Sequence, residues 1–293
     1  MPNSSKHIHS KAVELIEQST GSGSIARLRE YKLRAEEISH STDRSYNLIV
    51  FLVEGVMVVN SSEGLGRIVR QGEFFFIPIS SYVSYQALSS CRFLIFSFER
   101  LESTCDLAYL RELSQLPVQV EYQFHAVAIR KPLLHFLKEL AGFKQMMNDV
   151  EYQRVKCEEC FYLLRSLYSQ EEMLNIFYPI VGKSVDFRLF VLKNYLNVKN
   201  IHKMVELSGL KRKTFDRLFN YEFGLPPYQW VLRQKAKHIR YELSETDEQM
   251  QDIMRKYGFQ IAPHFTRFCR EYFDATPLEA RKRLRMEKAQ LQY

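Results

Sequence analysis

The sequence predicts an α+β chain of two domains: an N-terminal antiparallel β-barrel with following helices, then an all-α C-terminal domain with two helix-turn-helix units. Three observations predict it. The length of 293 residues suits two domains at about 150 residues each. Short β-rich segments are confined to residues 46–98, and a helical motif recurs 50 residues apart between Phe215 and Pro277. A composition 46% hydrophobic and 26% charged excludes disordered, collagenous and coiled-coil classes. No apolar run approaches the roughly 18 residues of a spanning helix, so no membrane partner is expected. Lys6, Glu14, Glu17, Arg27 and Arg29 break up the start of the chain, leaving no signal-peptide core. Five cysteines without framework spacing suit a reducing compartment, and the expected location is cytoplasmic.

Residues 1–24, rich in Ser and Gly, read as a flexible leader. An effector and dimerisation domain is expected over 25–175. Its strands begin with Tyr46–Val53, followed by Val56–Asn60, Arg67–Arg70, Glu73–Pro78, Tyr82–Leu88 and Cys91–Phe98. They are 4–8 residues long, rich in Val, Ile, Phe and Tyr, and punctuated by Gly55, Gly72 and Pro78, as in a sandwich or barrel. The Gly72 turn running through Phe74–Ile77 to Pro78 resembles a passage of cupin-like sensor domains, with Glu73 in place of the usual Asp.

A metal-binding barrel of that kind needs two or three converging histidines and a carboxylate. No histidine lies between Arg44 and Glu99, and His7 and His9 fall in the leader. Asp43, Glu54, Glu63, Glu73 and Glu99 alone suit a weak Mg²⁺ or Ca²⁺ site better than a redox metal. The expectation is therefore no metal, no cofactor and no enzyme activity. The barrel interior either holds a small organic ligand or is filled by side chains. Phe75, Tyr82 and Tyr85 are the candidate contacts for a ligand.

Lys131–Met147 and Glu151–Tyr168 repeat apolar residues at helical spacing, the second with Val155, Phe161, Tyr162 and Leu163–Leu167 inward. Cys157 and Cys160 lie on one face of this helix. With no second pair nearby, packing is the preferred reading over zinc or redox chemistry. These amphipathic helices are candidates for a homodimer interface. Residues 176–186, with Pro179 and Gly182, read as a linker.

In the expected C-terminal domain, 187–293, Phe215, Arg217, Phe219, Phe223, Gly224 and Pro227 recur as Phe265, Arg267, Cys269, Phe273, Asp274 and Pro277. Each unit, 201–224 and 249–274, reads as a short helix, a turn at Gly209 or Gly258, and a second helix stopped at Gly224 or Asp274. Residues 228–243 form a helix between them. Residues 181–293 carry 22 Lys and Arg against 13 Asp and Glu, whereas 1–180 carry 19 against 21. All the positive excess therefore sits with the repeat, as expected for a domain that binds a polyanion.

A recognition helix keeps one face in the core and presents the other to a DNA major groove. In unit one Phe215, Leu218 and Phe219 face inward. Lys211, Arg212, Lys213, Thr214, Asp216 and Arg217 are the candidate DNA contacts. Arg217 would read guanine, and Asp216 would accept from cytosine or orient Arg217 or Lys213. In unit two the candidates are Pro263, His264, Thr266, Arg267 and Arg270. His264 is open to a base contact, a phosphate contact or plain surface placement. The basic stretch 280–288 reads as a helix end giving non-specific phosphate attraction.

The segment Tyr257–Lys282, with its Tyr-Gly-Phe start, Phe265–Phe268 centre and Thr276-Pro277 finish, resembles the AraC/XylS family of bacterial transcription regulators. Leu207–Val231 and Arg233–Ile239 resemble the family's first half. Asp274 departs from the usual glycine, and Ala262-Pro263 from a stretch often polar. The resemblance implies a sequence-specific, signal- or ligand-responsive regulator, more an activator than a repressor. Its expected partners are double-stranded promoter DNA, RNA polymerase, a small-molecule effector and a second copy of the chain. The competing readings are a metal-independent cupin-type enzyme and an architectural DNA binder.

Overall fold

The computed structural model describes residues 26–41, 44–116, 122, 124–140, 148–198 and 200–290. His7, His9, Asp43 and the expected leader lie outside these, as does the end of the expected Lys131–Met147 helix. The N-terminal strands are β1 (Arg27–Leu33), β2 (Ile38–Ser41), β3 (Asn47–Glu54), β4 (Val56–Ser61), β5 (Gly64–Arg70), β6 (Glu73–Ile77), β7 (Val83–Ala87) and β8 (Cys91–Phe98). Helix α1 (Thr104–Leu113), the short β9 (Val127–Ala128), α2 (Lys131–Leu140), α3 (Val150–Leu167) and α4 (Gln170–Phe177) follow.

The expected closed barrel is instead a pair of antiparallel sheets, ordered β1-β8-β3-β6-β9 and β2-β7-β4-β5. Between them lie Leu48, Val50 and Leu52 of β3, Phe75 and Ile77 of β6, and Val83 and Tyr85 of β7. The alternate residues Ile49, Phe51, Phe74, Phe76, Leu94 and Phe96 face the other way, onto α2–α4. β3 is therefore buried on both faces, which explains its unbroken apolar run. β1 and β2 were not among the expected strands because charged and hydroxyl residues interrupt their alternation.

The packing answers one open question. Phe75 and Tyr85 have no exposed surface and sit in the inter-sheet core, their rings 6.4 Å apart. They fill the interior rather than line a ligand cavity. Tyr82 belongs to a different environment, on the outer side of the second sheet. On α3, Phe161 and Leu164 are buried, but Val155 and Tyr162 are exposed, contrary to the expected inward face. Cys160 is buried and burial pushes the neighbouring Cys157 thiol up to about 12, so neither thiol is poised as a thiolate.

The C-terminal helices are α5 (Val185–Asn194), α6 (Ile201–Ser208), α7 (Arg212–Phe223), α8 (Pro227–Glu245), α9 (Met250–Lys256), α10 (Ala262–Phe273) and α11 (Pro277–Gln290). The expected linker is not a free tether. Ile180, Val181 and Val185 are buried with the N-terminal helices. Buried Arg188 donates from Nε to the Pro179 carbonyl (2.8 Å) and from Nη1 to that of Glu222 (2.6 Å), while Glu222 Oε1 accepts from the Ser184 amide (2.7 Å). The chain leaving the first domain is thus tied to the C-terminal end of α7.

The outer face of β4 and β7 packs on the helical domain. Tyr82 stacks on Tyr241 of α8 at 5.2 Å and 8°, with the Arg44 guanidinium 4.2 Å from its ring centre. Lys237 Nζ donates to Glu63 (2.7 Å), Ser84 Oγ to Glu245 (3.3 Å), and Ser80 Oγ to the Leu192 carbonyl (2.7 Å). Ile79 joins the core of unit one, and Leu65 packs against that of unit two. One sheet face therefore touches both helix-turn-helix units and the helix joining them.

Candidate nucleic-acid interface

The candidate recognition helices are α7 and α10. In unit one Gly209 closes α6 in the left-handed region (φ 67°), which turns the chain into α7. Phe215 and Phe219, both fully buried, pack on Phe187 of α5 and, for Phe219, on Trp230 of α8. In unit two Phe265, Phe268, Cys269 and Phe273 are buried with Ile239, Leu243 and Ile253. Gly224 caps α7 at φ 68°, and Asp274 caps α10 at φ 52°, the same conformation carried by a residue with a Cβ. The 50-residue repeat is thus one geometry used twice.

Burying those aromatics fixes what faces solvent. Lys211, Arg212, Lys213, Thr214 and Arg217 are exposed on α7 and its approach, with Asp216 half-buried. Pro263, His264, Arg267 and Arg270 are exposed on α10, with Thr266 half-buried. Asp216 does not orient Arg217 or Lys213. Its Oδ2 accepts from Arg212 Nε at 2.7 Å, four residues earlier on the same helical face. Among the described residues the side chains of Lys211, Lys213, Arg217, Arg267 and Arg270 have no ion-pair partner.

A feature the sequence reading missed lies at the helix starts. α7 and α10 both begin without a side chain accepting from their first amides, at N-caps Lys211 and Ile261. α5, α8 and α9 likewise start without a side-chain cap, whereas Asn200 caps α6 by accepting from the Lys203 amide. Free N-terminal amides carry the positive end of the helix dipole and suit phosphate oxygens. The signal was available: neither cap position holds Ser, Thr, Asp or Asn.

The basic tail has a different role from the one expected. Arg281 Nη2 donates to the Glu248 carbonyl (2.6 Å), Arg283 Nη2 to that of Phe273 (2.5 Å), and Arg285 Nη2 to that of Thr246 (2.5 Å). Lys288 pairs with Glu245 at 3.0 Å. These cations brace the ends of α8 and α10 and the start of unit two, leaving Lys282 exposed.

Behind the recognition helices, His238 of α8 is buried, with Nε2 2.6 Å from the Tyr195 hydroxyl and Nδ1 without a partner among the described residues. Burial first, then the positive charges of Arg44, Lys237 and Lys256, holds its pKa down at about 3. Glu242, also buried, pairs with Lys256 at 2.7 Å and accepts from the Tyr257 hydroxyl at 3.2 Å, joining α8 to α9.

A family model described as a helix-turn-helix domain matches residues 204–283, which span α7 to α10. An HTH-type transcriptional regulator of Haemophilus influenzae is 22% identical over 236 residues, covering 73% of this chain and 79% of that protein. The virulence regulon transcriptional activator VirF of Yersinia enterocolitica is 28% identical over 92 residues, 31% of this chain and 34% of VirF. The match thus spans about a third of VirF's length. The crystal structure of ToxT from Vibrio cholerae aligns with a TM-score of 0.42 at 11% identity, covering 88% of this chain and 98% of ToxT. Residues 204–283 form an AraC-type helix-turn-helix domain, and over most of its length the chain is similar to an HTH-type transcriptional regulator.

Proposed function

We propose that the chain reads duplex promoter DNA by placing α7 and α10 in successive major grooves, and that the N-terminal domain makes this binding responsive to a signal. The observation that carries the reading is the pairing of two equivalent helices. Each has a buried aromatic face, an exposed basic face and an uncapped start. Arg217 and Arg267 contact bases, and Lys211, Lys213 and Arg270 contact phosphates. The outer face of the second sheet lies against α8, so a signal that shifts this contact changes how the two units are presented.

The chain acts by binding rather than catalysis, as an activator that contacts RNA polymerase and works in the cytoplasm. VirF's description as an activator supports the first part of this reading. Among the described residues no helix is long and apolar enough to cross a membrane, and no group of three or more His, Cys, Asp or Glu could hold a metal ion. Val155 and Tyr162, exposed seven residues apart on one face of α3, support pairing of two copies through that helix.

The test is selection of bound sequences from random DNA with the full chain, followed by footprinting. A bipartite site with boxes about one helical turn apart supports the reading. Enrichment without a consensus favours the architectural binder, and protection without defined edges overturns sequence-specific recognition.

A further inference from the structure

With the inter-sheet core filled, room for an effector must be sought elsewhere. A crevice of about 450 Å³ lies where the β4–β5 turn meets α8 and α11, lined by residues 61–67 together with Lys237, Arg240, Ser244, Leu284, Glu287 and Lys288. This volume falls within the range of small-molecule sites, roughly 300–1,000 Å³. Its charge is unbalanced in a specific way. Lys237 is neutralised by Glu63 at 2.7 Å, Lys288 by Glu245 at 3.0 Å, and the Glu287 carboxylate lies 3.9 Å from Arg283. Arg67 of β5 and Arg240 of α8 line the same crevice from opposite domains. Neither side chain has an ion-pair or hydrogen-bond partner among the described residues. Ser62 is buried, and its Oγ accepts from the Tyr82 amide at 3.3 Å, which leaves the hydroxyl proton free to donate.

We infer that this crevice is the effector site, and that it takes a small hydrophilic polyanion: a metabolite with two carboxylate or phosphate groups, engaged by Arg67 and Arg240. The inference rests on the reading of the chain as a signal-responsive regulator and names the chemistry and place of the signal. A guanidinium matches the geometry of either oxyanion with two parallel N–H donors, so one anionic group on each arginine uses what the described residues leave unpaired. A flanking donor from Ser62 fixes the orientation. An occupant held this way ties the β4–β5 turn of the first domain to α8. It thereby stabilises the packed arrangement of the sheet against the helix that joins the two units. An apolar effector is disfavoured because it would leave two guanidinium groups desolvated and unmatched.

The test is calorimetric titration of the full chain with citrate, pyrophosphate and a nucleoside diphosphate, and with octanoate as the apolar control. The same titrations are made with Arg67→Ala, Arg240→Ala and, because polyanions also compete at DNA-binding surfaces, Arg217→Ala. Arg67 and Arg240 are both exposed, so their removal leaves the fold intact. The inference expects at least one polyanion to bind at one site and to raise the Tm. Binding should weaken by about tenfold or more in Arg67→Ala and Arg240→Ala but not in Arg217→Ala, from the loss of one charge-assisted pair. Three results overturn it: no polyanion binding at concentrations on the order of 10 mM, equal binding by the Arg67 and Arg240 variants, or preference for octanoate. DNA affinity measured without any polyanion stands apart from these outcomes. Its loss would sink the regulator reading, whereas its persistence without polyanion binding would sink only the effector site.

Discussion

Replacing Arg217 with alanine separates recognition from folding. Its side chain is exposed on α7 and has no ion pair or hydrogen bond among the described residues. Its removal should therefore shift stability by no more than about 0.5 kcal/mol, the usual range for such a surface change. On DNA the expectation is different. A bidentate guanine contact contributes about 1–3 kcal/mol of discrimination, which corresponds to roughly 5- to 150-fold at the cognate site. Arg212 is the internal comparison, because its guanidinium is already held by Asp216 at 2.7 Å. An exposed pair of this spacing stabilises the helix by only ~0.3–0.5 kcal/mol. Arg212→Ala should cost less specificity than Arg217→Ala, and it frees the Asp216 carboxylate to repel phosphate. The assay is fluorescence anisotropy with the selected duplex and a scrambled one, at two salt concentrations. If Arg217 touches phosphate instead of a base, both affinities fall together and the salt slope decreases by about 1. If Arg217→Ala leaves both affinities unchanged, α7 does not enter the groove as argued.

Further expectations concern the two units and their support. Unit one exposes Arg212, Lys213, Asp216 and Arg217, whereas α10 opens with Ala262 and Pro263, so the base preferences of the selected sites should be stronger under unit one. A more restrictive box under unit two would contradict this. Asp274→Gly should stabilise the C-terminal domain by about 0.5–1 kcal/mol, because glycine adopts φ 52° without Cβ strain and an acidic side chain leaves the negative end of α10. Thermal unfolding should show Tm rising by a few degrees, and Gly224→Asp should lower it. His238 has a folded pKa of about 3 against an unfolded value near 6.5, so the unfolded state binds the proton more tightly. The stability its neutral burial supports is fully present above about pH 6.5 and is lost as pH falls from there toward 3. The loss is ~1.4 kcal/mol per unit. Urea titrations at pH 7 and pH 5 should differ by about 2 kcal/mol, and His238→Gln should flatten that difference. A wild-type stability that stays constant between the two pH values would refute the burial argument.

The sequence by itself determined the features that depend on local periodicity. Alternation and turn residues placed the strands from Tyr46 to Phe98 to within a residue or two, apart from a later start for β5, because each strand carries its own pattern. The 50-residue repeat located α7 and α10, because each must bury the same aromatic positions and end in the same left-handed cap. The exposed basic residues followed once the inward face was known. Pairings between distant segments could not be read in this way. Strand period distinguishes the face of Tyr82 and Ser84 from that of Val83 and Tyr85, but not which face meets the other sheet and which meets α8. Phe75 and Tyr85 therefore turned out to be core, and Tyr82 part of the contact between domains. The arginines of α11 read as free positive charge because the carbonyls they cap lie outside that helix, 10 to 39 residues earlier, at Thr246, Glu248 and Phe273. Residues 176–186 read as a tether because Arg188 and Glu222, which bind that segment to α7, are 34 residues apart. A sequence records the periodicity of each element, whereas which faces meet, and which charges they leave unpaired, is decided only when the elements pack.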